Sequence, residues 1–137
     1  MFDRFMELQE RILAIAVRSE AALLAPGDHD VAALGQTRWE IARALREYQL
    51  FKHTRIFDPI ERQPDHRAYQ ARRMKAECIR VGEEFRRYVL KWSVVSILDH
   101  WAEFLPAALD AIARIRAQLA KERIGVTALL EIKSAAA

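Results

Sequence analysis

The chain is predicted to be all-α, an antiparallel up-down four-helix bundle, on three observations. Apolar residues recur at three-and-four spacing in four long segments, and no segment alternates polar and apolar as a half-buried strand would. Four glycines and four prolines punctuate the sequence, leaving only short connections between the segments.

The first helix is predicted from Asp3 to Leu24, with Phe5, Leu8, Ile12, Ile15 and Leu23 inward, and it ends at Pro26-Gly27-Asp28. Asp30 is placed to cap the second helix, which runs to about Phe57 before Asp58-Pro59 stops it. Pro64-Asp65 opens the third, where Met74, Cys78, Val81, Phe85, Tyr88 and Trp92 keep the helical period. Gly82 costs that helix about 1 kcal/mol relative to alanine, which marks a close helix contact. In the stretch from Ser93 to Pro106, Ser96-Ile97-Leu98-Asp99 resembles a capping box, and Pro106 is expected to kink or restart the helix. The fourth helix is predicted from Ala107 to Ile124, with Gly125 as its stop. One domain spans residues 1–137, and the end of the chain, 131–137, with its Ser134-Ala135-Ala136-Ala137 tail, is expected to fray.

Composition narrows the function classes. At 52% apolar and 30% charged, the chain is globular rather than disordered. Its 22 Lys and Arg against 19 Asp and Glu leave a net charge of +3, too small an excess for a dedicated nucleic-acid binder. A single cysteine, Cys78, rules out an internal disulfide and a cysteine-rich zinc site. With no secretory pattern at Met1-Phe2-Asp3-Arg4-Phe5 and no apolar run long enough to cross a bilayer, a cytoplasmic protein without a membrane partner is expected.

Two charges fall on stripes that otherwise read as buried. Lys52 shares a face with Ile41, Leu45, Tyr48 and Ile56, and Glu122 shares one with Ile112, Ile115, Leu119 and Val126. An isolated buried charge is very costly, so the two are expected to meet each other, with Tyr48, Gln9 and Gln118 as hydrogen-bonding partners.

The run from Leu45 through Tyr48 and Lys52 to Phe57-Asp58-Pro59 resembles the second helix of hemerythrin-like (HHE cation-binding) domains, where a His and a Glu four apart bind metal before a Phe-Pro stop. Met74-Lys75-Ala76-Glu77-Cys78 resembles the Met-x-x-Glu-His element of the third helix in that family, and Gln118-Leu119-Ala120-Lys121-Glu122 resembles the His-x-x-x-Glu of the fourth. The resemblance covers roughly residues 5 to 130 and implies the same bundle. It also implies vestigial metal positions: the first-helix histidine falls near Gln9, the second-helix pair on Tyr48 and Lys52, the third-helix histidine on Cys78, and the fourth-helix pair on Gln118 and Glu122. Glu122 alone keeps a ligand type, and an ammonium at position 52 stands where a cation would bind.

A small cytoplasmic binding or regulatory module without metal or other cofactor is therefore expected, not an enzyme. No phosphate loop, nucleophile elbow, paired catalytic carboxylates or zinc spacing appears. Two alternatives stand beside it. One is a metal-dependent oxygen, iron or redox sensor in which water completes coordination by Glu122, Cys78 and Tyr48. The other is a phosphotransfer protein using His53; His29, His66 and His100 are read as surface residues. The basic outer face of the third helix, with Arg72, Arg73, Arg80, Arg86 and Arg87, is read as solvated. The apolar run from Trp92 to Leu105, with Trp92, Ile97, Trp101 and Phe104, has two readings: a homodimer or protein-partner surface, or a cap over the end of the bundle.

Overall fold

Every predicted helix forms, and two run further than their punctuation suggests. The computed structural model describes residues 1–131, which are all-helical and contain no strand. The expected frayed tail therefore lies outside the described residues except for Glu131. Helix α1 spans Phe2–Leu24 and buries Phe5, Leu8, Ile12, Ile15 and Leu23, the residues its spacing places inward, together with Gln9 and Ala16. Helix α2 spans Val31–Phe51, and the Asp30 carboxylate caps it by accepting from the Ala33 N–H at 3.0 Å.

Asp58-Pro59 does not stop the second helix. The chain widens into a π-helical segment, Lys52–Phe57, and continues as α3, Asp58–Glu61. In an α-helix the Pro59 ring would collide with the Arg55 carbonyl and lack a donor to it. The wider register, in which the Asp58 N–H reaches the His53 carbonyl, makes room for the ring and lets the helix run on.

Helix α4 spans Arg67–Lys91, its first turn held by the Asp65 carboxylate, which accepts from the Arg67 N–H at 2.9 Å. Ser93, not Ser96, is the cap that follows. Its hydroxyl accepts from the Ser96 N–H at 3.2 Å and opens α5, Val94–Asp99. Helix α6 spans Trp101–Leu129, passing through both Pro106 and Gly125. Pro106 lies beyond the first turn, so α6 passes through it at the loss of the bond that an N–H there would make to the Ala102 carbonyl. Gly125 is not a stop. A Cβ there would meet Met74 Cε at 2.6 Å, so the glycine makes space for a side chain of α4 while its backbone stays helical.

Helix α1 packs against α2 and α6, and α4 packs against the same two, closing a ring around one core. The side-chain pairings order the helices. Arg11 meets Glu47 while Arg18 meets Glu40, and Lys121 meets Glu77 while Arg114 faces Glu84. In both cases numbers rise on one helix as they fall on the other.

The aromatic run closes one end of this ring instead of forming a surface. Trp92, Ile97 and Phe104 are buried, and Trp101 is half-buried, which corrects their assignment as an interaction surface. Trp92 meets Phe104 edge-on at 5.4 Å, Trp101 lies 5.7 Å from Phe104, and His29 stacks on Trp101 at 4.4 Å. Helix α5 is short enough to turn Ile97 inward beneath them, and Val95 and Leu98 are left in solvent.

Candidate functional site

Lys52 and Glu122 meet. Although 70 residues separate them, the Lys52 ammonium donates to Glu122 Oε2, and their side chains are only 2% and 6% exposed. Lys52 is the first residue of the π-helical segment and follows the last turn of α2, while Glu122 projects from the buried stripe of α6, between Leu119 and Val126.

The remaining donors and acceptors are almost all accounted for. The Lys52 ammonium also donates to Cys78 Sγ at 3.1 Å and lies 4.1 Å from the centre of the Tyr48 ring, so it spends its three protons on a carboxylate, a thiol and a π face. The Tyr48 hydroxyl donates to Glu122 Oε1 at 3.1 Å and accepts from the Gln9 amide at 3.0 Å. The same amide nitrogen donates to the Leu119 carbonyl at 2.8 Å. Four of the long segments thus converge through one chain of hydrogen bonds, a nearly complete network of the kind that specifies a single packing.

Gln118 does not join it. Helix α6 buries Ile115, Leu119, Glu122 and Val126, and Gln118 sits beside that stripe, half-buried, while the Leu119 carbonyl takes the Gln9 amide. Gln49 plays a supporting part that the sequence did not single out. Its amide donates to the Cys78 carbonyl at 3.0 Å, and a Cβ at Gly82 would sit 2.2 Å from that amide. The close approach expected at Gly82 is therefore to a side chain of α2.

A cavity of about 650 Å³ opens between α2 and α4 onto this cluster, within the size range of sites for small molecules. Trp39, Leu45, Phe85 and Val89 line it on the apolar side, Arg43, Arg46 and Arg86 stand along it, and Tyr48, Lys52, Cys78 and Glu122 form its polar end.

The donor set does not suit a di-metal centre. Among the described residues no three His, Cys, Asp or Glu side chains gather as metal ligands, and the one carboxylate at the carried-over positions is already bound by an ammonium. The histidines are dispersed: His29 lies against Trp101, and His53 lies 5.7 Å from the Phe57 ring with its Nε2 buried and without a hydrogen-bond partner among the described residues. Burial, reinforced by the neighbouring Lys52 ammonium, holds His53 below the usual imidazole range.

Burial also pushes the Cys78 thiol up, an effect that the Lys52 ammonium only partly offsets. Tyr48 is raised well above the phenol range, first by burial and then by the Glu122 carboxylate, and burial pushes Tyr88 up to about 12. For each of these groups the folded state holds its proton longer than the unfolded chain does. The stability they contribute is complete below the unfolded thiol pKa of about 8.5 and is lost as pH rises through the folded values. The urea midpoint is therefore expected to fall steadily above about pH 9, with the earliest part of the fall removed in Cys78→Ala. A midpoint independent of pH between about 8 and 10.5 would contradict this protonation state of the core.

No family model, curated protein or solved structure matches the chain.

Proposed function

We propose that this chain is an antiparallel up-down four-helix bundle of hemerythrin-like type whose di-metal site has given way to the Lys52–Glu122 pair, and that it acts in the cytoplasm as a binding or regulatory module, not as an enzyme. The opposed numbering of the paired residues on α1 and α2, and on α4 and α6, supports the bundle arrangement. The replacement of the metal rests on one observation. The Lys52 ammonium is held by Glu122, Cys78 and the face of Tyr48, so a fixed organic cation stands where this family would place a metal ion.

Metal analysis of protein purified without chelator tests the reading. Less than about one tenth of an equivalent of iron, manganese or zinc per chain is expected, and no oxo-bridged di-iron absorption. Two metal atoms per chain, lost when Glu122 is changed to Gln, would overturn it.

Binding, on this reading, takes place in the cavity between α2 and α4, whose size and polar end suit a small molecule. A protein partner or second copy would meet Val95 and Leu98, the members of the aromatic run most open to solvent. Nucleic acid is disfavoured by the net charge of only +3, and on α4 Lys75, Arg67 and Arg80 are paired with Asp58, Asp65 and Glu84. The phosphotransfer alternative gains no support from a histidine whose Nε2 is buried.

A further inference from the structure

The cavity between α2 and α4 is ordered along its length. Lys52 meets Cys78 and Gln49 packs on Gly82, so residue numbers fall on α2 as they rise on α4. Arg86 therefore stands level with the turn of α2 that carries Arg43 and Arg46, and all three line the cavity. These side chains are exposed and make no ion pair or side-chain hydrogen bond among the described residues, although Arg11, Arg18, Arg80 and Arg116 each hold a carboxylate. Of the two carboxylates along the cavity, Glu122 is bound by Lys52 and Glu83 alone stands against the three guanidiniums. The open side of the cavity is thus net positive.

On one side of the arginines the cavity continues to Cys78, which lies about 12 Å along α4 from Arg86. Leu45, Val81 and Phe85 wall this stretch, with Ile115 and Leu119 of α6 behind them. Its polar end asks no hydrogen bond of an occupant. The Tyr48 hydroxyl and the Lys52 ammonium already serve Glu122, and the Gln49 amide serves the Cys78 carbonyl. Cys78 itself is a buried thiol, which packs as a small apolar group. On the other side, Trp39 and Leu90 lie only about 6 Å beyond Arg43 and Arg86 and are open to solvent. The longer and better enclosed apolar stretch is therefore the one toward Cys78.

We propose that the cavity binds a single-chain anionic amphiphile, a fatty carboxylate or alkyl phosphate, with its head on Arg43, Arg46 and Arg86 and its tail lying past Leu45 and Val81 toward Cys78. An extended hydrocarbon advances about 1.25 Å per carbon, so the stretch from the arginines to Cys78 takes a chain of about ten carbons. Guanidiniums pair with carboxylate and phosphate oxygens alike, and at the open side the head keeps part of its hydration while the tail leaves water. A sugar or free nucleotide would leave the aliphatic walls uncovered, and a cationic amphiphile would meet like charge. This assignment rests on the cavity being the binding site of the module. It needs nothing of the hemerythrin-like resemblance, which metal analysis decides separately.

The test is calorimetric titration of the intact protein with the sodium salts of butyrate, hexanoate, octanoate, decanoate and dodecanoate, and with decyl phosphate, each below its micelle-forming concentration. Saturable one-to-one binding is expected, tightening about fourfold for each methylene buried and levelling off near decanoate. The triple variant Arg43→Gln, Arg46→Gln, Arg86→Gln changes only exposed side chains, so it is expected to fold as the wild type does and to bind decanoate at least tenfold more weakly. Arg87→Gln, next in sequence but not lining the cavity, is expected to bind as the wild type does. Ala42→Phe, which fills part of the wall without touching a charge, is expected to weaken decanoate as well. Either ranking of decyl phosphate and decanoate supports the proposal and names the head. Decanol binding as tightly as decanoate, or full affinity in the triple variant, would overturn the anionic amphiphile while leaving the cavity a ligand site. Affinity independent of chain length would overturn the path of the tail. No saturable binding of any acid or of decanol would overturn both the proposal and the cavity as a binding site.

Discussion

Lys52→Met is expected to destabilise the protein by about 3–5 kcal/mol, a large fraction of the stability of a domain this size. The substitution leaves Glu122 in the core with only the Tyr48 hydroxyl to serve it and leaves Cys78 Sγ without its donor. Glu122→Gln strands the ammonium instead and is expected to cost a similar amount, because Lys52 then keeps only a thiol and a π face. The double variant should recover much of the loss, since removing both charges also removes the cost of desolvating them. Urea unfolding of the four proteins completes the cycle, with a coupling energy of about 2 kcal/mol or more expected from neighbours in direct contact. Small, additive effects would mean that solvent reaches both groups and that the pair is no substitute for a buried metal.

Phe104→Ala is expected to cost about 3–5 kcal/mol, the second largest effect, through the cavity it opens under the cap. Phe104 is buried and touches both Trp92 and Trp101, so little can collapse into the space it vacates. Leu98→Glu, next in sequence to Ile97 but exposed, should change stability by less than about 0.5 kcal/mol. Sedimentation of wild type and Leu98→Glu then separates a cap from a partner surface in this segment. Loss of an oligomer in Leu98→Glu at unchanged stability would place an interface on the solvent side of the cap. An unstable Leu98→Glu and a neutral Phe104→Ala would reverse the assignment of inner and outer faces.

Helical period alone located the inward faces of α1 and α6 well, because burial on an amphipathic helix repeats every three or four residues whatever the helix packs against. The same period located Lys52 and Glu122 as charges needing partners. Arg38 falls between Leu34 and Ile41 on the same stripe, but arginine is ordinarily a surface residue and its long stem can carry the charge outward, so spacing alone does not mark it as buried. Helix ends were read less well where a glycine or proline serves a neighbour. Gly125 clears Met74, and Pro59 is absorbed by a π-helical turn, so neither breaks the chain as an isolated helix would lead one to expect.

The sequence by itself determined that the protein is helical, which faces are apolar, and that charged groups lie on those faces, because these are properties of spacing along a single helix. Only the tertiary structure decided which charges find partners. Lys52 meets a carboxylate 70 residues away, while Arg38, on the same helix stripe, keeps Nε and Nη1 without a partner among the described residues, and Gln118 yields to a backbone carbonyl one residue along. Such outcomes depend on how neighbouring helices are rotated and staggered, and a shift of one residue exchanges one facing side chain for another. That is information held jointly by helices distant in sequence, and no single helical pattern contains it.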